Sequence, residues 1–258
     1  MVNPFVLVSP ASRGLSLALT QQLLKSTKYP VYATHRSKSA DEVKERILKP
    51  LGDVDEKRLH LLTLDLNHED SIQDAAKELS QKLPKDSFLH TAFLTGGVLH
   101  PEKQPSDLSL ENITSTFHIN VISHLLQIKH FSQFLPTQQH KDDLEGPAKW
   151  VHVTARVGSI SDNERGGWYS YRSSKAALNQ VIKTFDLQLK MKKSPAISVG
   201  VHPGTVKTDL SKGYWTSTPK DKLFEPEYAA ECLVNVVMGL KEEQRGRVWD
   251  WQGKEIHP

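Results

Sequence analysis

The sequence predicts an α/β protein, a doubly wound parallel sheet with helices on both faces. Short apolar runs alternate with segments of ten or more residues at helical spacing, which is the pattern of βαβ crossovers. Runs such as Phe5–Val8 are apolar throughout, as in strands covered on both sides. Of the 258 residues, 38% are hydrophobic and 24% charged, the proportions of a globular chain.

Phe5-Val6-Leu7-Val8 reads as the first strand and Leu15 to Leu24 as the first helix, with Leu15, Ala18, Leu19 and Leu23 at helical spacing. Val31 to Thr34 is a second strand, followed by a charged helix over Ala40 to Leu48. Leu59 to Leu64 and then Ser71 to Leu83 repeat the unit, with Ser71 near the helix start. Phe88 to Leu94 makes a fourth strand, stopped by Gly96-Gly97. One long helix is expected from about Ile113 to Leu135, where Pro136 ends it. Trp150 to Thr154 is the fifth strand, and a helix from about Ser170 to Met191 follows a polar loop. Ile197 to Val201 is the sixth, stopped by Pro203-Gly204. A helix over Pro226 to Met238, with its proline favourably near the start, precedes a last strand at Arg247 to Trp251. No repeat or linker divides the chain, so one domain is expected over 1–258. The least regular stretches are Leu99–Asp107, Gln138–Pro147 and Lys207–Leu223. Loops at strand ends border the ligand crevice of open α/β sheets, so substrate contacts are expected from about 99–107, 156–170 and 207–223.

Several classes are disfavoured. The formal charge of +3 is small and no Lys/Arg run is long, so no nucleic-acid partner is expected. A single cysteine, Cys232, rules out an internal disulfide framework and a Cys-based metal site. It also fits a reducing compartment. The start, Met1 to Val8, has no basic region before a long apolar one and reads as a strand, not a signal peptide. No window approaches the roughly 20 apolar residues of a membrane span, so a cytoplasmic location without membrane partners is expected. His35, His60, His90 and His152 fall in different strands, and no His-x-x-x-His pair or carboxylate-supported cluster sits on one predicted helix face, so no metal is expected. No Gly-x-Ser-x-Gly is present to suggest a hydrolase.

After the first strand comes Ser9-Pro10-Ala11-Ser12-Arg13-Gly14-Leu15-Ser16. Such a turn presents backbone N–H groups and a helix N-terminus to a pyrophosphate, although only Gly14 of a glycine fingerprint is in place. Dinucleotide sites commonly put an acid about 20 residues further on, to bond the ribose 2′-OH. Here that region reads Ala33-Thr34-His35-Arg36, with no acid before Asp41. Arg36, helped by Arg13, is placed to pair with a 2′-phosphate, which favours NADP(H) over NAD(H).

Tyr171-Arg172-Ser173-Ser174-Lys175 puts a tyrosine and a lysine on one face at the start of a helix. A nearby ammonium favours phenolate, so the pair suits proton exchange with a carbonyl or alcohol oxygen.

Together these motifs resemble the short-chain dehydrogenase/reductase family along nearly the whole chain, and its C-factor-like branch most. The resemblance runs through Arg156 to Ile160, Gly167 to Asn179 and the closing Trp249-Asp250-Trp251-Gln252-Gly253-Lys254. Asp65-Leu66, Asn120 in His118-Ile119-Asn120-Val121, and Pro203 to Thr208 also match. It implies a Rossmann-like fold and a nicotinamide cofactor. By position, Ser9, Ser12, Arg13, Gly14 and Leu15 would form the phosphate turn, and Asp65 and Leu66 would lie by the adenine. Thr95, Gly96 and Gly97 would line the cofactor floor, and Pro203, Val206 and Thr208 would hold the nicotinamide side. Tyr171 would be the general acid, Lys175 would lower its pKa and bond the ribose, and Asn120 would help hold a relay water. A homodimer or homotetramer is implied as well, built on the two long helices.

Three departures from the family pattern stand out. The turn has Ser9-Pro10 for Thr-Gly and Ser16 for its third glycine, and the Asn-Asn-Ala-Gly after strand four is Leu94-Thr95-Gly96-Gly97. Proline lacks an N–H, and a serine side chain must fit between helix and strand. Most directly, Ala155 stands where the family has its catalytic serine. Thr154 should face away from residue 155, and Ser159 lies beyond the strand end. An NADP(H)-dependent oxidoreductase interconverting a carbonyl and a secondary alcohol, with an altered site, is the first reading. A cofactor-binding pseudoenzyme that senses or scaffolds is a second, and a non-redox isomerase or dehydratase a third. Trp168, Tyr214 and Trp215 are candidates for an apolar substrate wall.

Overall fold

Chain direction, more than any single contact, decides where a site can form in this molecule. The computed structural model describes residues 2–258. Strand β1 (Asn3–Ser9) runs into α1 (Gly14–Ser26), and β2 (Val31–His35) into α2 (Ala40–Leu48). Strand β3 (Leu59–Thr63) precedes α3 (Glu69–Lys82), and β4 (Ser87–Leu94) precedes α4 (Leu110–Phe117) and α5 (Ser123–Phe131). Strand β5 (Ala148–Val153) leads to α6 (Tyr169–Met191) and β6 (Ala196–His202). Two short strands follow, β7 (Thr205–Val206) and β8 (Leu223–Phe224), then α7 (Pro226–Gly239), β9 (Val248–Asp250) and β10 (Glu255–Ile256).

Eight strands form one sheet in the order β3-β2-β1-β4-β5-β6-β9-β10, with β7 and β8 paired separately. All neighbours in it run parallel except β10, which returns antiparallel to β9. Strand β1 is flanked by β2 on one side and β4 on the other, with Val6 opposite Val31 and Thr91. The winding reverses there, which opens a crevice beyond the carboxyl ends of β1 and β4.

Alternation along β1 shows how both faces are covered. Val6 and Val8 join one core with Leu19, Leu23, Leu233 and Val237 from α1 and α7. Phe5 and Leu7 join another with Ile72, Leu79, Phe185 and Leu189 from α3 and α6. Trp150 is fully buried in the second and meets Phe185 edge to face at 5.5 Å.

The long helix expected over Ile113–Leu135 is interrupted. Residues His118–Ile122 form a π turn between α4 and α5, and one extra residue in such a turn rotates the helix face. Asn120 at its centre is fully buried and makes three hydrogen bonds outside the helix, to Val98 N, Val98 O and Ser174 Oγ. Strands β7, β8 and β10, at two residues each, are too short to show a periodicity in sequence. No helix among the described residues is long and apolar enough to cross a membrane.

Candidate active site

The turn after β1 is rich in free donors. The amides of Ser12, Arg13, Gly14, Leu15 and Ser16 donate to no acceptor among the described residues. Helix α1 also starts without a capping side chain or an acid in its first turn. Unmet N–H groups at a helix N-terminus suit an anion, and a pyrophosphate fits this donor set. Gly14 holds φ +53°, where a side chain is strained, and a Cβ there would stand 3.0 Å from Thr208 Cγ2, a tight approach. Ser9 is fully buried, its hydroxyl accepting from Thr34 at 2.9 Å, so it lies beneath the turn instead of lining it.

The floor of the crevice is the segment after β4. Thr95 N donates to Ser9 O at 2.7 Å, and its hydroxyl donates to Pro10 O at 2.9 Å. Gly96 is crowded by Leu66, whose Cδ1 lies 2.7 Å from where a Cβ would stand. At Gly97 the same construction falls 3.7 Å from Lys175 Nζ and 3.9 Å from Asn120 Oδ1, so the position admits the close approach of a ligand. Asn120 clamps the next residue by taking Val98 N–H at 2.8 Å and giving to Val98 O at 3.0 Å.

Helix α6 brings Tyr171 and Lys175 to this floor, both buried. The Lys175 ammonium donates to Val153 O at 3.0 Å and stands 5.8 Å from the Tyr171 ring centre. Burial pushes the Lys175 pKa down to about 7 and the Tyr171 phenol up. The depressed tyrosine pKa expected from the spacing is thus not what the protein groups produce: desolvation by burial raises it. The phenol hydroxyl has no hydrogen-bond partner among the described residues.

The entry to α6 is tightly built. Gly166, Gly167 and Trp168 all have positive φ, and Trp168 N donates to Glu102 O at 2.7 Å. The Glu102 carboxylate, 1% exposed, accepts from Ser170 N at 3.0 Å and Ser170 Oγ at 2.5 Å. A carboxylate here satisfies an orphan donor and favours the helix dipole. Sequence reasoning missed Glu102, because 68 residues separate it from Ser170. Trp168 meets Tyr214 at 4.8 Å and Tyr171 at 6.1 Å, giving the tyrosine an aromatic wall. Trp215 instead turns its indole N–H to Ser211 Oγ at 2.9 Å. Across the crevice Val206 is buried and Pro203 half-buried.

With this geometry in place, residues 4–218 match the short chain dehydrogenase family. The chain belongs to that family. It is 35% identical over 185 residues to 1-hydroxy-2-glutathionyl-2-methyl-3-butene dehydrogenase of Rhodococcus sp. (strain AD45), covering 71% of this chain and 74% of that one. To C-signal of Myxococcus xanthus it is 33% identical over 151 residues, 58% of this chain and 81% of that one. Among solved structures, the NADPH-bound carbonyl reductase from chicken fatty liver superposes with a TM-score of 0.84 at 25% identity, over 100% of both chains. The carbonyl reductase Sniffer of D. melanogaster gives 0.84 at 23% identity, again over 100% of both, a likeness of fold.

The departures from the short-chain dehydrogenase pattern are accommodated unevenly. Ser16 fits because its hydroxyl meets Thr95 Oγ1 at 2.8 Å. Pro10 gives up an N–H, yet the free amides that follow it remain. Beside Ala155, by contrast, both nearby hydroxyls are engaged elsewhere. Thr154 turns its hydroxyl to Asn179 Oδ1 at 2.8 Å, and Ser159 is held within its own loop by Ser161 and Asp162 N. At the end of β2, Arg36 is exposed and its charge reaches Asp65. Burial works against the Asp65 carboxylate, but the Asn67 hydrogen bonds and the charges of Arg36 and His68 outweigh it and hold its pKa down. Arg13 leans toward Asp209 at 4.0 Å, an exposed and therefore weak pair.

Proposed function

We propose that this protein is an NADP(H)-dependent oxidoreductase that interconverts a carbonyl and a secondary alcohol. The observation that carries the reading is the convergence of Tyr171, Lys175 and Asn120 under a loop floor open at Gly97, beside a turn of free amides. The free amides of residues 12–16 would hold the pyrophosphate, with Asp65 and Leu66 by the adenine. Thr95, Gly96 and Gly97 would lie under the ribose, and Pro203, Val206 and Thr208 would stand beside the nicotinamide. A bound nicotinamide dinucleotide supplies or takes the hydride.

In the reducing direction Tyr171 would give its phenol proton to the developing alkoxide, and Lys175 would hold the ribose and, in its protonated form, ease that loss. Asn120 positions the floor. Both of its amide protons are used, on Val98 O and Ser174 Oγ, so only acceptor capacity remains for a relay water. Trp168 and Tyr214 offer an apolar wall to the substrate. Arg36, with no acid at the end of β2, selects the 2′-phosphate. The NADPH-bound chicken enzyme supports the same cofactor.

Ala155 supports one rival, a cofactor-binding protein without turnover. Titration with NADPH and NADH, followed by nicotinamide fluorescence, tests both readings. Selective NADPH binding with oxidation by some carbonyl compound is expected. Binding without turnover across a carbonyl panel would favour a sensor, and binding of neither cofactor would overturn both. Arg36→Ala should weaken NADPH at least tenfold more than NADH; an equal loss on both would sink the 2′-phosphate assignment.

A further inference from the structure

Behind the floor lies a buried chain of hydrogen bonds that the proposed reaction does not use. His124 of α5 and His152 of β5 are fully buried, with their Nδ1 atoms 2.8 Å apart. His152 Nε2 accepts from the Trp150 indole N–H at 3.1 Å. An indole nitrogen only donates, so His152 carries its proton on Nδ1 and gives it to His124 Nδ1. His124 then carries its own on Nε2, where it donates to the Gly96 carbonyl at 3.0 Å. Each ring is left a single tautomer, and the chain runs one way, from Trp150 through both histidines to Gly96.

Neither ring can gain a proton without losing a bond. On His152 Nε2 it would face the indole N–H, and on His124 Nδ1 it would face the N–H of His152. Burial first, and then neighbouring positive charge, hold both pKa values low, His124 at about 3. The couple is a neutral, directional strut rather than a titrating group.

What the strut holds is one peptide. In a trans peptide the C=O and the following N–H point opposite ways. With the Gly96 carbonyl drawn toward α5, the Gly97 N–H faces away from it, and it donates to no acceptor among the described residues. Gly97 is half-buried and lies beside Lys175 Nζ. The units on either side have other anchors, Thr95 on Pro10 O and Val98 on Asn120. Only the 96–97 peptide depends on the histidines.

We propose that His124 and His152 are positioning residues for the cofactor floor, fixing the Gly96–Gly97 peptide so that the Gly97 N–H is presented to the bound dinucleotide. The proposal rests on reading the cleft as a dinucleotide site. Its test is titration of ¹⁵N-labelled protein with NADP⁺, with Kd taken in parallel from NADPH fluorescence. The Gly97 amide should shift on binding and become protected from exchange. His124→Phe, which fills the space without donors or acceptors, should abolish that protection and weaken binding about tenfold. His124→Gln, whose amide can accept from His152 and donate to Gly96, should keep most of both. Side-chain ¹⁵N spectra should show His152 protonated on Nδ1 and His124 on Nε2, unchanged between about pH 5 and 8. A Gly97 amide that ignores the cofactor while those of residues 12–16 respond would overturn the proposal alone, and so would the opposite tautomers. No response anywhere, with no binding by fluorescence, would overturn the dinucleotide reading and this proposal with it.

Discussion

In the proposed reaction, Ala155 leaves the Tyr171 hydroxyl as the one side chain assigned to the reacting oxygen, since Thr154 and Ser159 are bonded elsewhere. One positioned donor at such an oxygen is worth on the order of 3 kcal/mol, or about a hundredfold in rate. Ala155→Ser is therefore expected to raise carbonyl reduction by up to that factor, read from NADPH oxidation, while NADPH affinity stays the same. No gain with binding intact would show that the site works without a second hydroxyl. Lys175 supplies a prediction on stability. Its folded pKa, about 7, lies below the ordinary 10.5. Between those values the unfolded chain holds a proton that the folded chain does not. Stability should thus rise with pH across about 7.5 to 9.5, by on the order of 1 kcal/mol per unit. The Tm of Lys175→Met should be nearly flat over that window. A slope as steep as the wild type's would assign the effect to another group.

Helix α6 shows how an element converts local chemistry into placement. Its first turn is held by Glu102, which grips Ser170 through both carboxylate oxygens one residue before Tyr171. Glu102→Ala would leave Ser170 N–H buried without a partner, a loss of about 1–3 kcal/mol in a denaturant titration. It should also lower kcat, because Tyr171 sits in the turn that loosens, and should leave NADPH affinity nearly unchanged. Unaltered stability would mean that water replaces the carboxylate. Elements of this kind were legible in sequence where a period was long enough to read. The strands from β1 to β6 and the helices α1 to α3, α6 and α7 stand within a few residues of their expected places. The π turn was not legible, since Asn120 at its centre bonds to Val98 and Ser174, partners that lie 22 and 54 residues away. Tyr171 and Lys175 could be singled out because one helix turn joins them. Glu102 with Ser170, and His124 with His152, meet only once the chain has folded, so no spacing announces them.

Across the whole molecule, the proposed site and the buried Asp186–Arg245 pair lie toward opposite edges of the sheet. The carboxyl edge collects the free amides of residues 12–16, the buried Lys175 and the left-handed run from Gly166 to Trp168, each of which costs stability. The amino edge has left-handed residues at Asp86 and Lys193 and a buried Lys149, and it is also tied by a nearly buried ion pair. Helix α6, 23 residues and therefore about 34 Å long, reaches from one edge toward the other. Well beyond its first turn it carries Asp186, which with Arg245 forms a nearly buried pair at 2.9 Å. Asp186 Oδ1 also accepts from Ser198 N at 3.0 Å, and Arg245 Nη2 reaches Asp186 O and Ala196 O, both at 3.3 Å. These bonds join α6, β6 and the chain entering β9. Removing one partner of a buried pair leaves the other charge uncompensated, at a cost of about 3–5 kcal/mol. Arg245→Leu is expected to lower the Tm by several degrees and to leave the NADPH Kd within about twofold of the wild type's. The second half of that expectation tests the separation of the edges. A Kd that weakens in step with the Tm would show that the amino-edge tie helps hold the crevice in shape. An unchanged Kd in a destabilised protein would show that the crevice is held locally, by Asn120, Glu102 and the histidine couple.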